Sequence, residues 1–137
     1  MMLLLDSEAL SAIAHGPLAR RHRVRSLISE ARRREERITA VATTLTEVVR
    51  GRPADAAVYN SLRREHVFVR PVDQDIAVRA GHLLESVGAG SELAVDAFVV
   101  AAADLFGRAV IATVDTEDMR LLASRCPAIQ VASINPG

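Results

Sequence analysis

Two acidic residues lie beside apolar segments in the second half of the chain. Asp96 stands near the start of an apolar helical stretch, Val95–Ala103, and Asp115 follows the apolar strand 109–113. A helix followed by a buried strand is half of a βαβ unit and predicts a parallel sheet. Ligands of such sheets bind outside the carboxyl ends of the strands. Both acids are therefore expected at a binding or catalytic site.

Two more acids, Asp6 and Glu47, are predicted to reach the same edge of the sheet. Asp6 follows the apolar run Met2–Leu5, and Glu47 lies shortly after a second apolar run. Several carboxylates that converge without a Lys nearby repel one another. A divalent cation removes this repulsion, and Mg²⁺ or Mn²⁺ prefers carboxylate and water oxygens.

Helix capping is the competing interpretation of these acids. Asp is a favoured N-cap residue, which would explain Asp6. Thr44–Glu47 has the form of a capping box, and Asp115 could begin a solvated helix. Asp96 differs because apolar residues flank it on both sides, where an unpaired carboxylate is costly.

The composition excludes several classes of protein. All 17 basic residues are Arg, so a phosphate-binding loop of the Walker type and Schiff-base chemistry are excluded. The single cysteine, Cys126, excludes an internal disulfide framework and a Cys-rich zinc site. The serine elbow of α/β-hydrolases is absent. The formal net charge is zero, so net charge alone does not indicate nucleic-acid binding.

Strand and helix patterns alternate along the chain. Apolar runs predict strands at 2–5, 38–42, 67–69, 109–113 and 129–132. Helical spacing and caps predict helices at 7–14, 18–37, 44–51, 53–65, 73–87, 95–103 and 116–125. This order predicts one domain, 1–137, built as an α/β sandwich around a mostly parallel sheet. Residues 135–137 are expected to be a frayed end.

Other polar residues and the cellular location are predicted less directly. Arg50 is interpreted either as a phosphate contact or, more simply, as a solvated helix residue. Asp104 lies two turns after Asp96 and could approach the site, whereas the four His are expected at the surface or in loops.

No apolar run is long enough to span a membrane, and Met1–Leu5 is too short for a signal peptide. A cytoplasmic protein is therefore expected.

Four segments, taken in order, resemble motifs of the PIN-domain ribonucleases, and most closely the VapC-type toxins of bacterial toxin–antitoxin modules. These segments are Leu4–Ser7, Thr46–Gly51, Val95–Ala103 and Ala112–Asp118. Each motif alone is weak, but four in the right order are fairly specific. The resemblance covers nearly the whole chain.

The resemblance implies a PIN-like three-layer α/β/α sandwich with a mostly parallel sheet of about five strands. It also implies an enzyme that hydrolyses RNA with Mg²⁺ or Mn²⁺. The acids that match the catalytic residues of the family are Asp6, Glu47, Asp96 and Asp115. Of these, Asp6, Asp96 and Asp115 would bind the metal, with Asp118 as a second candidate for the fourth acid. Thr113 matches the Thr or Ser that precedes the fourth acid. The resemblance also implies a homodimer that is inhibited by a small antitoxin, and leaves the role of the Arg-rich segment 18–37 open.

Two other functions remain open from the sequence. Phosphoryl-transfer domains of the receiver or haloacid-dehalogenase type also place acids around Mg²⁺ at strand ends, but they normally use a Lys. A catalytically degenerate PIN-like module that only binds a partner is the non-enzymatic alternative, although the four acids are intact.

Overall fold

Strands and helices alternate through residues 1–136, the part of the chain that this computed structural model describes. The strands are β1 (Met2–Leu5), β2 (Arg37–Val41), β3 (Phe68–Arg70), β4 (Ala109–Thr113) and β5 (Ile129–Ser133). The α-helices are α1 (Ser7–His15), α2 (Leu18–Arg33), α3 (Asp55–Arg64), α4 (Gln74–Ser86), α5 (Ala94–Phe106) and α6 (Thr116–Leu122). Short 3-10 helices span Ala42–Glu47 and Ser91–Leu93. The predicted order of strands and helices is confirmed.

The five strands form one parallel sheet in the order β3-β2-β1-β4-β5. Strand β1 is central, and its four residues are at most 3% exposed. A strand covered on both faces is expected to be continuously apolar, which explains the sequence Met2–Leu5. The expected sheet is therefore confirmed, and it is entirely parallel.

Helices cover both faces of the sheet and enclose two separate hydrophobic cores. Alternate residues of a strand point to opposite faces, and β1 divides accordingly. Met2 and Leu4 pack into the core on the side of α4, α5 and α6. Leu3 and Leu5 pack into the core on the side of α1, α2 and α3. The molecule is thus a three-layer α/β/α sandwich, as expected.

Several predicted helix boundaries were wrong. The predicted helix 18–37 ends at Arg33, because Glu35 adopts a positive φ of 57° and Arg37 already belongs to β2. The predicted helix 53–65 begins only at Asp55 and ends at Arg64. The predicted helix 116–125 ends at Leu122, whereas the predicted helix 95–103 is longer and extends from Ala94 to Phe106.

The strand order places a topological switch point between β1 and β4. The connection from β1 to β2 passes through α1 and α2 on one face, whereas α4 and α5 lead into β4 on the other face. Ligands of open α/β sheets bind at such a point, outside the carboxyl ends of the strands. Asp6 and Asp115 follow the two strands that meet there.

Membrane spans were expected to be absent. Among the helices of residues 1–136, none has the length and apolar character that a membrane crossing requires.

Candidate active site

Asp6 connects the central strand to α1. Its backbone N–H donates to the Ala112 carbonyl oxygen over 3.3 Å, which continues the pairing of β1 with β4. Its carboxylate accepts a hydrogen bond of 2.8 Å from the Ala9 N–H and caps α1. Asp6 is only 2% exposed. The capping interpretation is therefore right for Asp6, but it leaves a buried carboxyl group to be explained.

Burial raises the pKa of Asp6 to about 7. The Thr113 hydroxyl and the Ala9 N–H lower this pKa because they favour the charged form, while the negative charges of Glu8 and Asp96 raise it. Burial and like charges outweigh the hydrogen bonds. Asp6 is therefore partly protonated at neutral pH, and a positive charge nearby would favour its charged form.

Asp96 lies in the first turn of α5 and faces other acids. Burial raises its pKa to about 6, and the charges of Glu47, Asp118, Glu8 and Asp115 raise it further, in that order of effect. The first turn of a helix normally favours a carboxylate, so the neighbouring acids oppose the local preference. The structure thus brings Asp96 into the field of Glu47, Asp115 and Asp118, and its own charge acts on Asp6.

Glu8 also belongs to this group, although no motif in the sequence marks it. Its Oε1 atom accepts hydrogen bonds from the Thr113 hydroxyl over 3.3 Å and from the Asp115 N–H over 3.2 Å. The only sequence signal is its position two residues after Asp6, in the first turn of α1. Acids are common in the first turn of a helix because the helix dipole stabilises their negative charge, so this position alone does not indicate a function. The contacts to β4 are what distinguish it.

We refer to the six carboxylates at this edge of the sheet as the acid cluster. They are Asp6, Glu8, Glu47, Asp96, Asp115 and Asp118. Thr113 is fully buried beneath them, and its hydroxyl contacts Glu8 and the Asp115 carbonyl oxygen. Asp115 also caps α6 by accepting from the Glu117 N–H over 3.2 Å.

Glu47 does not form the predicted capping box. The predicted helix 44–51 is instead the 3-10 helix Ala42–Glu47, which starts after Val41 without a side-chain cap. Thr44 is fully buried against the protein interior, which overrides its local preference for a cap position. Glu47 consequently has an exposed side chain that acts on Asp96 through its charge.

Two residues considered from the sequence make other contacts. The Arg50 guanidinium donates to the Thr46 carbonyl oxygen over 2.6 Å at the surface. Arg50 is exposed, as the simpler interpretation expects, but it follows the 3-10 helix Ala42–Glu47 and does not belong to a helix. Asp104 does not approach the acid cluster. It accepts a hydrogen bond of 2.6 Å from Arg79 of α4, and this ion pair joins α4 to α5.

A cleft of about 450 Å³ opens beside the acid cluster. Glu8, Glu47 and Arg20 are charged residues of its lining. Asp6 and Asp96 lie outside this lining. The other residues that line the cleft are Ser7, Ser11, Ala12, His15, Gly16, Pro17, Val48 and Val114. The lining of the cleft therefore combines two acids of the cluster with a basic residue.

The acid cluster supplies carboxylate oxygens, which are the type of ligand that a hard divalent cation prefers. Among the residues that the structure describes, no three or more His, Cys, Asp and Glu side chains form a group that could hold a metal ion. The carboxylates of Asp6 and Asp96 nevertheless have raised pKa values, partly because their neighbours are negative. A cation close to both groups would favour their charged forms, and oxygen donors suit Mg²⁺ or Mn²⁺.

Two solved structures share the fold of this chain. One is a chain in the crystal structure of VapBC2 from Rickettsia felis bound to a DNA fragment from the VapBC2 promoter. It matches with a TM-score of 0.65 and 14% sequence identity, and the match covers 97% of this chain and 98% of that chain. A chain of VapBC-1 from nontypeable Haemophilus influenzae matches with a TM-score of 0.65 and 16% identity, covering 99% of this chain and 100% of that chain. No protein-family model and no curated protein matches. At these identities the comparison establishes the fold, and this chain therefore has the PIN-like α/β/α fold that its sequence motifs resemble.

Proposed function

We propose that the chain is a metal-dependent endoribonuclease and the toxin of a type II toxin–antitoxin module. The observation that carries the proposal is the buried Asp6 beside the partly buried Asp96, whose carboxyl groups have pKa values of about 7 and about 6 at the switch point of the sheet. Perturbed acids in such a position are typical of functional sites. The fold that the chain shares with two VapBC structures supports the same assignment.

Asp6 and Asp96 would hold Mg²⁺ or Mn²⁺, with Asp115 or Asp118 as the further ligand. Such an ion lowers the pKa of a water molecule and offsets the developing charge on a phosphate. In the proposed hydrolysis, water attacks the phosphorus of an RNA phosphodiester, and a ribose oxygen leaves with a proton. The acids alone would repel the phosphate, so the reaction requires their charge to be offset.

Other residues of the chain would position the reactants. Glu47 has an exposed carboxylate on the cleft and can orient the attacking water by accepting its hydrogen bond. Thr113 holds Glu8, and Glu8 in turn holds the backbone of Asp115. These hydrogen bonds fix the start of α6 relative to α1, so that the acids from separate strands keep their spacing.

The decisive experiment measures cleavage of a structured RNA by the purified protein with Mg²⁺, Mn²⁺ or a chelator. Wild type should cleave only with metal, and Asp6→Asn should lose both cleavage and metal binding while remaining folded. Equal cleavage by wild type and Asp6→Asn would sink the mechanism, because the activity would then come from another site or a contaminant. A wild-type protein that binds metal but does not cleave RNA would favour a phosphoryl-transfer domain. A wild-type protein that neither binds metal nor cleaves RNA would favour a degenerate binding module.

The proposed partners are a cognate antitoxin and a second copy of the chain. We propose that an antitoxin segment covers the cleft and places an Arg or another polar group near the acid cluster. The negative charges there favour such a group. Expression of the chain alone should arrest growth, and co-expression with the small protein encoded beside it should restore growth and yield a complex. A chain that is harmless alone and binds no such protein is not the toxin of a module.

A further inference from the structure

The first two turns of α2 concentrate positive charge without local compensation. Arg20, Arg21, Arg23 and Arg25 lie within six consecutive positions, and the first turn contains no acid. None of the four forms an ion pair with an acid of residues 1–136, where the ion pairs of α2 begin only at Arg32. Pro17 caps the helix without a side-chain hydrogen bond. Positive charge in the first turn of a helix opposes the helix dipole, so Arg20 and Arg21 gain no stabilisation from the dipole of α2.

Arg20 is the arginine of this group that lines the cleft beside the acid cluster. Its Nε atom donates to Asn135 Oδ1 over 3.1 Å, and Asn135 Nδ2 donates to the Val114 carbonyl oxygen over 3.4 Å. Asn135 therefore links α2 to the residue that precedes Asp115. The predicted frayed end 135–137 is wrong for Asn135, whereas Gly137 lies outside the described residues.

This anchor leaves the rest of the Arg20 guanidinium available. Within residues 1–136 its Nη1 and Nη2 atoms form no hydrogen bond, because the contact to Asn135 uses Nε alone. A guanidinium whose position is fixed can bind a phosphate with two parallel hydrogen bonds and loses little freedom in doing so. Arg23 supports the same segment by donating to the Ser133 carbonyl oxygen over 3.4 Å.

Arg25 provides an internal contrast. It is exposed, and five positions along a helix turn its side chain by roughly 140° away from that of Arg20. Arg25 and Arg20 therefore carry the same charge on the same helix, but only Arg20 lies on the cleft. Any function of the cleft should depend on Arg20 and be insensitive to Arg25.

We propose that Arg20, held in place by Asn135, binds a backbone phosphate of the RNA strand next to the phosphate that is cleaved. The inference rests on the proposed ribonuclease function and identifies how its substrate is held. The lining of the cleft includes the acids Glu8 and Glu47 and, of the four arginines, only Arg20. The acid cluster repels the phosphates of RNA. A positively charged group is therefore needed to bind the strand in this cleft. Arg20 is a binding residue in this scheme, and Asn135 is a positioning residue.

The binding test uses a fluorescently labelled single-stranded RNA oligonucleotide, a chelator and a series of salt concentrations. The proteins are wild type, Arg20→Ala, Arg20→Gln, Arg25→Ala and Asn135→Ala, each checked for an unchanged circular dichroism spectrum. Arg20→Ala and Arg20→Gln should weaken binding about tenfold, because each removes a charge-assisted contact. They should also reduce the slope of log Kd against log salt by roughly 0.7, the value for one phosphate contact on a single strand.

Asn135→Ala should weaken binding less and keep the wild-type salt slope, since the charge remains but its position is no longer fixed. Arg25→Ala should bind like wild type. Equal losses for Arg20→Ala and Arg25→Ala would reduce the effect to general charge and overturn the inference. A wild type that binds no RNA would overturn it as well.

Cleavage with Mn²⁺ separates this inference from the proposed function. Arg20→Ala should raise KM about tenfold with little change in kcat, as expected when binding is lost equally from substrate and transition state. RNA binding that depends on Arg20 without any cleavage would contradict the nuclease and keep the binding site. Cleavage that is unaffected in Arg20→Ala would contradict the binding site and keep the nuclease.

Discussion

Glu8 and Thr113, which lie 105 positions apart, are joined by a hydrogen bond of 3.3 Å between the threonine hydroxyl and the glutamate Oε1. The same oxygen accepts the Asp115 N–H over 3.2 Å. Glu8 therefore connects the first turn of α1 to the end of β4, where two acids of the cluster begin α6. Because its charge also raises the pKa values of Asp6 and Asp96, Glu8 acts on the site both electrostatically and by position.

Replacing Glu8 should impair the proposed activity without unfolding the protein. Glu8→Gln keeps the size of the side chain but removes a negative charge from the cluster. Loss of an orienting partner at a metal site typically reduces activity 10- to 100-fold, and we expect a reduction of about that size in metal-dependent RNA cleavage. The measurement is the cleavage rate at saturating Mn²⁺.

Glu117→Gln is the matched control for this change. Glu117 is an exposed acid next to the cluster, and only its backbone N–H contacts Asp115. Its replacement should leave cleavage nearly unchanged, as is usual for a surface substitution. Similar rates for Glu8→Gln and Glu117→Gln would show that Glu8 has no special role.

The metal-free protein should become less stable as the pH rises from 5 to 7.5. The folded-state pKa values of Asp6 and Asp96 are about 7 and about 6, both above the ordinary value of 3.8. A raised pKa means that the folded state binds the proton more tightly, so its contribution to stability is complete below pH 4 and is lost as the pH passes the folded-state pKa. We expect the melting temperature in chelator to fall by about 5 °C across this range.

Asp6→Asn should flatten this pH dependence because its amide does not ionise. Asp75→Asn removes an exposed acid of α4 and should retain the wild-type slope. The readout is a series of thermal melts in chelator at constant ionic strength. A wild-type melting temperature that rises over this interval would contradict the burial of unpaired carboxyl groups at the site.

Divalent metal should restore the stability that the metal-free protein loses as the pH rises toward neutrality. An ion that binds only the folded state stabilises it by mass action, by about 2.7 kcal/mol at a concentration 100 times its dissociation constant. Millimolar Mn²⁺ or Mg²⁺ should therefore raise the melting temperature at pH 7.5 relative to chelator. Asp96→Asn should reduce the increase and stay folded, because Asp96 is only partly buried.

Asp104→Asn is the control on the same helix. Asp104 pairs with Arg79 and not with the acid cluster, so this variant can lose some stability but should keep the full response to metal. An unchanged melting curve of the wild type in saturating Mn²⁺ would count heavily against the metal site.

The parts of the fold that were predictable from sequence are those governed by local pattern. The apolar run Met2–Leu5 predicts a strand covered on both faces, and parallel strands bring the acids that follow them to one edge. Asp6 and Asp115 were placed in this way. The apolar neighbours of Asp96 likewise predicted a carboxyl group in an unfavourable setting, and its raised pKa agrees with that interpretation.

The parts that were missed depend on contacts between distant segments. Thr44 has the local signature of a helix cap, but tertiary packing buries it in a 3-10 helix. Asp104 has the spacing to approach Asp96, but Arg79 of another helix pairs with it. Asn135 lies beside the C-terminus, where fraying is the ordinary expectation, yet Arg20 and Val114 hold it. No local pattern encodes these partners.

The third proposed metal ligand, which is the fourth acid of the family resemblance, is either Asp115 or Asp118. The charges of both residues raise the pKa of Asp96, so both lie in its field. Asp115 is engaged as the cap of α6, through its contact with the Glu117 N–H, and its side chain is exposed. Asp118 is partly buried in the first turn of the same helix. The sequence resemblance favours Asp115, and we expect Asp115→Asn to reduce Mn²⁺ affinity and cleavage together by at least tenfold.

Asp118→Asn should have a smaller effect on both quantities. Loss of the cap in Asp115→Asn also costs stability, so Mn²⁺ affinity by calorimetry and cleavage are compared at a temperature where circular dichroism shows all variants folded. Asn is itself a favoured cap residue, and the start of α6 should therefore survive the change. If Asp118→Asn instead loses more Mn²⁺ affinity than Asp115→Asn, Asp118 is the ligand. Asp115 would then act mainly by capping α6 and holding the backbone contact to Glu8.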